Sequence, residues 1–155
     1  MARLVCALVL VGLVPLVYGR SSGAPTDACT TMTPQHGDTV VQAGPSPYGI
    51  AAPNTAAPGQ QITIRVHGGG AVFKGFLVRA LEGANPSTGQ FVVAPNAFQC
   101  DNPSDSATHA NPNPKNMVDL TWQAPPYATS VTFQSTVVFN FTTIHRNAPV
   151  TIQVL

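Results

Sequence analysis

Cysteine is the residue type in this sequence with the clearest capacity for chemistry. The chain contains Cys6, Cys29 and Cys100, and Cys6 lies within an apolar N-terminal stretch. In an oxidising compartment Cys29 and Cys100 could form one intramolecular disulfide, whereas a metal site would need further ligands. Neither a Cys-x2-Cys nor a His-x3-His spacing occurs. The disulfide is therefore favoured over a metal site, and we expect neither a metal nor another cofactor.

The polar residues that could support catalysis are scattered along the chain. The acidic residues show no paired spacing that would identify a general acid and a general base. No Gly-x-Ser-x-Gly sequence occurs, and the three glycines at 68–70 are not followed by the Gly-Lys-Ser/Thr of a phosphate-binding loop. The histidines fall in four separate segments, at His36, His67, His109 and His145. We therefore predict that the protein is not an enzyme.

The charge of the chain limits the choice of partners. Charged residues make up 8% of the 155 residues, against about 25% in an ordinary soluble domain. Once Arg3, which precedes the apolar N-terminal stretch, is set aside, six basic residues balance six acidic ones, and they are spread along the sequence. Nucleic acids and anionic membranes are recognised through clustered Lys and Arg. Neither is therefore a predicted partner on the basis of charge.

The N-terminus has the features of a secretory signal peptide. Arg3 precedes an apolar run from Leu4 to Val17, which is shorter than the roughly 20 residues of a membrane-spanning helix. The small residue Gly19 follows, so we predict cleavage after it. This gives a signal peptide at 1–19 and one secreted, extracellular domain at 20–155 with no membrane span. The alternative is that the apolar run forms a buried N-terminal helix.

Alternating apolar and polar residues predict several β-strands. The alternation is clear at 62–66 and 118–122, and residues 73–81 are apolar at both parities, which is typical of a more central strand. From Val131 to Phe141 the odd positions are mostly apolar, so we expect one long strand that buries them. Strands without an amphipathic helix favour an all-β, two-sheet sandwich.

A glycosylation motif lies in the last part of this predicted strand. Asn140-Phe141-Thr142 is the only Asn-x-Ser/Thr sequence without an intervening proline. The alternation predicts that Phe139 and Phe141 face the core while Asn140 faces solvent. We therefore predict an N-glycan at Asn140.

Candidate ligand-binding residues lie in two predicted loops. Tyr48 occupies a proline-rich turn at 45–49 and is the best candidate for an exposed aromatic residue. His109 and Lys115 lie in the segment 101–116, which is rich in Asn, Pro, Ser and Asp and shows no periodicity. Long loops of this kind are commonly functional.

The sequence resembles the reeler (reelin N-terminal) domain family, and within it the short secreted insect defence proteins of the noduler type. The resemblance covers most of residues 22–142. The matching segments are 22–29, 32–37, 45–48 and 73–80, followed by Cys100, 108–109 and 118–122 with Pro125. It implies an immunoglobulin-like β-sandwich with a disulfide between Cys29 and Cys100.

The resemblance also implies a function. Such defence proteins are secreted innate-immune proteins, some of which recognise microbial surface components such as glycans or lipopolysaccharide and promote haemocyte aggregation. An insect member would act in the haemolymph. The alternative is an extracellular matrix or cell-surface interaction module without a microbial ligand, because reeler domains also occur in larger proteins.

Overall fold

The computed structural model describes residues 21–33, 39–98 and 100–155; the predicted signal peptide at 1–19 and His36 lie outside these residues. The described chain contains one short helix, α1 (Ala28–Thr31), and is otherwise β-structure. Its strands are β1 (Val40–Val41), β2 (Gly49–Ala51), β3 (Thr55–Ala56), β4 (Gln61–His67), β5 (Gly75–Glu82), β6 (Asn85–Pro86), β7 (Gln90–Val93), β8 (Asn96–Phe98), β9 (Ser106–Thr108), β10 (Met117–Gln123), β11 (Thr129–Val138), β12 (Thr143–Arg146) and β13 (Val150–Val154). The predicted all-β class is confirmed.

The strands form two sheets. The larger sheet has the order β1-β12-β11-β5-β9-β8, with β13 alongside the first half of β11, β3 alongside β13, and β6 alongside β5. The smaller sheet has the order β2-β4-β10-β7. Most neighbouring strands are antiparallel, while β1 with β12 and β3 with β13 are parallel pairs.

The alternation predicted for β4 and β10 is present in the smaller sheet. Ile62 lies opposite Trp122 and Ile64 lies opposite Leu120, and all four side chains are buried. The polar residues between them face solvent, where Arg65 and Asp119 form an ion pair with Nε and Oδ1 2.6 Å apart. The Arg65 guanidinium lowers the pKa of Asp119 by hydrogen bonding to its carboxylate.

The two sheets pack face to face around aromatic side chains. Trp122 of β10 and Phe91 of β7 contact Phe133 of β11, with ring centroids 5.0 Å and 6.5 Å from that of Phe133. Val131 and Val137 of β11 are also buried, as their odd positions predict. The predicted β-sandwich is therefore confirmed.

The prediction for the end of β11 is wrong. The strand ends at Val138, and the side chains of Phe139 and Phe141 are 43% and 64% exposed instead of buried. Beyond Val138 the neighbouring strand β5 has no further residues, because Val138 pairs with its first residue, Gly75. The chain turns back at this point, and the backbone N–H of Phe139 donates to the carbonyl oxygen of Thr143.

The predicted loop at 101–116 contains a strand. Ser106, Ala107 and Thr108 form β9, which lies between β5 and β8 and is fully buried. Two of its three residues are hydroxyl-bearing, so the hydropathy pattern does not reveal it. The loop proper is therefore shorter than predicted.

A segment at the N-terminus covers the outer face of the larger sheet. We call residues 21–33 the N-terminal arm. Its Ala28 and Met32 pack on Leu77 of β5, which points away from the main core. A disulfide between Cys29 and Cys100 joins the arm to the sheet, with a Cα–Cα distance of 5.7 Å. Among the residues that the structure describes, no helix has the length and apolar character needed to cross a bilayer.

Candidate functional site

The N-terminal arm is held against the sheet by polar contacts on both sides of the disulfide. The backbone N–H of Ala24 donates to Thr108 Oγ1 at 3.0 Å. Thr136 Oγ1 donates to the carbonyl oxygen of Met32 at 2.6 Å, and Arg146 Nη2 donates to that of Thr31 at 2.8 Å. These contacts place the arm on β9, β11 and β12.

Arg79 connects the two ends of the disulfide. Its Nη1 donates to the carbonyl oxygen of Cys29 at 3.0 Å, and its Nη2 forms an ion pair with Asp101, next to Cys100. The side chain of Arg79 is only 13% exposed. A cation that is mostly buried needs such partners, because desolvation of an unpaired charge is costly. Arg79 therefore has a structural role at the disulfide.

Asp105 orders the loop that contains Cys100. Its buried carboxylate accepts hydrogen bonds from the backbone N–H groups of Cys100, Asp101 and Asn102, at 2.8, 3.0 and 3.0 Å. The three N–H groups satisfy a carboxylate that would otherwise be buried at high cost. The loop that carries Cys100 is consequently fixed before it enters β9.

A small cavity lies between the arm and the outer face of the larger sheet. We call it the arm cavity, and its volume is about 60 Å³. Ala24, Pro25 and Ala28 of the arm form one wall, and Leu77 and Val138 form part of the other. Most of the lining is therefore carbon. Phe141, one of the two exposed phenylalanines in the turn after β11, also lines the cavity.

Five residues with polar side chains line the arm cavity. They are Ser21, Lys74, His109, Thr136 and Asn140, and no acidic side chain lines the cavity among the residues that the structure describes. His109 is buried, and its Nδ1 lies 3.3 Å from the backbone N and O of Phe76 and 3.2 Å from Thr108 Oγ1. A Cβ at Gly75 would lie 2.8 Å from His109 Cε1, so glycine is needed beside the ring.

Tyr48 is not the exposed aromatic residue that the sequence suggests. Its side chain is buried, its hydroxyl donates to the carbonyl oxygen of Val72 at 2.9 Å, and its ring lies 5.9 Å from that of Phe73. Burial raises the pKa of the phenol. Its position in a proline-rich turn wrongly predicts exposure, because the ring packs onto the sandwich beneath the turn.

Lys115 closes the loop in which it lies. Its Nζ donates to the carbonyl oxygens of Lys74, Asn111 and Asn113, at 3.0, 2.8 and 2.6 Å. Desolvation lowers the pKa of the ammonium group. Because all three N–H groups have backbone acceptors, Lys115 stabilises the loop before β10, and a bound ligand would have to displace one of them.

The structure does not bring the three predicted ligand-binding residues into one site. His109 lines the arm cavity, whereas Tyr48 and Lys115 do not. Tyr48 and Lys115 both contact Phe73, one through its ring and the other through its backbone. Within the described ranges, no group of three His, Cys, Asp or Glu residues is placed to hold a metal ion.

Sequence analysis missed the apolar residues of the arm cavity. Ala24, Pro25, Leu77 and Val138 carry no chemistry that a motif could identify. One signal was present, because the segment 73–81 is apolar at both parities. A strand with two apolar faces must be covered on both, and the arm is the second cover.

Asn140 lies in the turn between β11 and β12, where we still predict an N-glycan, for a different reason. Its Oδ1 accepts hydrogen bonds from Thr142 N and Oγ1 at 3.0 and 3.1 Å, while the glycan attaches to the other terminal atom, Nδ2. The flanking phenylalanines are exposed, so the turn is accessible. Protein secreted from eukaryotic cells should lose mass on enzymatic deglycosylation, and Asn140→Gln should abolish that loss.

Thr142 provides the matched controls for this prediction. Thr142→Ser keeps the hydroxyl and should retain the glycan, whereas Thr142→Val removes the hydroxyl and should lose it. A wild-type protein of unmodified mass would contradict the prediction.

Comparison with known proteins identifies the fold and the family. The Reeler domain model matches residues 27–153. The crystal structure of the Reelin-N domain of F-spondin superposes with a TM-score of 0.63 at 17% identity, covering 82% of this chain and 98% of that domain. This likeness concerns the fold.

Relatives in sequence fall into two groups. Defense protein l(2)34Fc of Drosophila melanogaster is 34% identical over 79% of this chain and 80% of its own length. "Putative defense protein 3" of Antheraea mylitta is 32% identical over 92% of this chain and 93% of its own length. Ferric-chelate reductase 1 of Bos taurus is 33% identical over 86% of this chain, which spans only 24% of that protein. The match of the family model over most of the sandwich shows that this chain belongs to the reeler domain family.

Proposed function

We propose that this chain is a secreted, non-enzymatic defence protein that recognises microbial surface components and promotes haemocyte aggregation. The observation that supports this most is the extent of the similarity to defence proteins. The alignments cover 80% and 93% of those proteins, so one reeler domain accounts for most of each of them. The reductase shares only a quarter of its length, 24%, with this chain.

Four of the five basic residues that the structure describes are engaged in structural contacts, and Lys74 is the exception. Arg65 pairs with Asp119, and Arg79 pairs with Asp101. Lys115 and Arg146 donate to backbone carbonyl oxygens. These contacts leave few cations for a charge-driven association with anionic surfaces. Recognition of a microbe would therefore depend on apolar contacts and hydrogen bonds.

Binding to bacteria should consequently depend only weakly on salt. The measurement is a pull-down of purified protein on bacteria or lipopolysaccharide from about 0.05 to 0.5 M salt, over which the Debye length falls from about 14 to about 4 Å. Each basic residue of a cationic binder contributes about 1 kcal/mol near an anionic surface. Cationic binders lose most of their binding over this range because salt screens that contribution. Retention of most of the bound protein is the expected result.

Two outcomes of this experiment would count against the proposal. Loss of nearly all binding at the upper salt concentration would reveal a charge-driven site. Absence of binding to any bacterium, together with binding to matrix or to haemocytes, would favour an extracellular interaction module. A haemocyte aggregation assay with and without bacteria separates these activities.

Secretion makes a separate prediction about the N-terminus. Protein collected from a eukaryotic culture medium should begin at Arg20 or within a residue or two of it, because a small residue follows the apolar run there. The disulfide is the kind of bond that persists in an oxidising compartment. N-terminal sequencing tests the prediction, and an intact Met1 on the secreted protein would contradict it.

A further inference from the structure

We infer that the arm cavity binds the end of an acyl chain of an anionic amphiphile, with the anionic group beside Lys74. The inference deepens the proposed function, because amphiphiles of this chemistry occur on microbial surfaces. The scattered charges argue against binding through a cluster of Lys and Arg, and the binding inferred here does not need such a cluster. The acyl chain enters a cavity, and one cation, Lys74, is enough to attract the anionic group.

The lining of the cavity selects an apolar guest. Ala24, Pro25, Ala28, Leu77 and Val138 present carbon to the same space. Apolar cavities in proteins stay dry and accept apolar guests such as benzene or xenon. A hydrated, polar group such as a sugar would lose its hydrogen bonds to water on entering this space without full replacement.

The size of the cavity selects the end of a chain. Its volume is about 60 Å³, which is the room of about four to six waters at 10–15 Å³ each. That space fits a few methylene groups and is too small for a sterol. Phe141, which is 64% exposed, extends the apolar lining towards solvent. The remainder of an acyl chain could lie against this ring.

The charge beside the cavity selects an anion. Lys74 is exposed, lines the cavity and makes no ion pair among the described residues. Its backbone N–H donates to the carbonyl oxygen of Val138 at 2.9 Å, which fixes the lysine next to the cavity wall. With no acidic side chain in the described lining, a carboxylate, sulfate or phosphate meets attraction there and a cation meets repulsion.

The test uses disulfide-intact protein and amphiphiles below their micelle concentrations. Isothermal titration with dodecanoate should show saturable binding. Binding of dodecyltrimethylammonium should be at least five-fold weaker, because the charge beside Lys74 is reversed. Lys74→Gln should weaken dodecanoate binding about five-fold, the equivalent of about 1 kcal/mol. It should leave the affinity for dodecyltrimethylammonium unchanged or raise it.

Filling the cavity should remove the site. Val138→Trp should reduce dodecanoate affinity by at least ten-fold, while the matched control Val93→Trp, at a 62% exposed position of the smaller sheet, should leave it unchanged. Ala24→Leu fills the same space from the arm and serves if the larger substitution prevents folding. Equal binding by the folded filled variants, or equal binding of the two amphiphiles, would overturn the inference.

Two further measurements identify the source of the ligand and separate this inference from the proposed function. Retention on phosphatidylglycerol vesicles but not on phosphatidylcholine vesicles would identify membrane lipid, whereas binding of monomeric dodecanoate alone would identify free amphiphiles. Bacterial binding by a protein that ignores dodecanoate would overturn the inference and leave the proposed function standing. Dodecanoate binding without bacterial binding would support the inference and count against the proposed function.

Discussion

Replacing Cys100 with serine should lower the free energy of unfolding by about 2–5 kcal/mol. The disulfide joins residues 71 positions apart, and on the chain-entropy model a loop of that length corresponds to about 4 kcal/mol. The larger effect should be local, because the bond ties the N-terminal arm to the outer face of the sheet. Without it, the remaining contacts are the packing of Ala28 and Met32 on Leu77 and a few hydrogen bonds such as those from Ala24 and Arg146.

Two measurements check this prediction. Chemical denaturation gives the free energy of unfolding, and limited proteolysis reports release of the N-terminal arm, residues 21–33. The variant with both Cys29→Ser and Cys100→Ser is the control for effects of a free thiol, and it should behave like the single variant. An unchanged cleavage rate in the arm would show that its polar contacts hold it without the disulfide.

The same variants should also lose the arm cavity. Ala24, Pro25 and Ala28 form one wall of the cavity, and the disulfide follows directly at Cys29. Release of the arm opens that wall to water and removes the apolar space between the arm and the sheet. Stability, protease resistance and amphiphile binding are therefore coupled through one covalent bond.

The parts of the fold that the sequence predicts are those in which one face of a strand is buried. In β4 and β10 the alternation of Ile62, Ile64, Leu120 and Trp122 with polar residues reports directly which side chains meet the core. Alternation is a local property of the chain, so one sequence is enough to reveal it.

The errors arise where neighbouring strands decide the outcome. Phe139 and Phe141 continue the alternation of β11, yet they are exposed because the partner strand begins at Gly75 and offers nothing beyond it. Strand β9 shows the opposite case. Ser106 and Thr108 look like loop residues, and they are buried because β5 and β8 satisfy their backbone groups on both sides.

The candidate site was unpredictable for a related reason. A search for chemistry selects residues such as Tyr48 and Lys115, whose polar groups the structure uses to hold loops and turns. The arm cavity is made by apolar residues that come together only when the arm folds over Leu77. Of the three predicted ligand-binding residues, only His109 lies there.

Among the core residues, Trp122 should be the one whose substitution lowers the stability of the sandwich most. The indole is fully buried and packs edge-on against Phe133. Trp122→Ala should lower the free energy of unfolding by about 3–5 kcal/mol, the range for large aromatic residues replaced in a core. Chemical denaturation monitored by far-UV circular dichroism measures the loss, since the substitution removes the only tryptophan. A loss below 1 kcal/mol, under the usual range, would show that the sheets collapse around the missing ring.

The effects of substitutions at Gly89 and at this tryptophan on the free energy of unfolding should be coupled, because the two residues lie in close contact. A Cβ at Gly89 would lie 2.1 Å from Trp122 Cζ2 and 2.6 Å from Cε2, so Gly89→Ala should cost about 1–3 kcal/mol through overpacking. Trp122→Phe removes the outer ring, and it breaks no hydrogen bond because Nε1 has no partner among the described residues. In the double variant the clash with the indole is relieved, while the 2.9 Å approach of the Cβ to the carbonyl oxygen of Gln123 remains. The combined loss should fall short of the sum of the single losses by about 0.5–3 kcal/mol. Strict additivity in this cycle would mean that the backbone around Gly89 moves away from the ring, and the close approach would then carry no energetic weight.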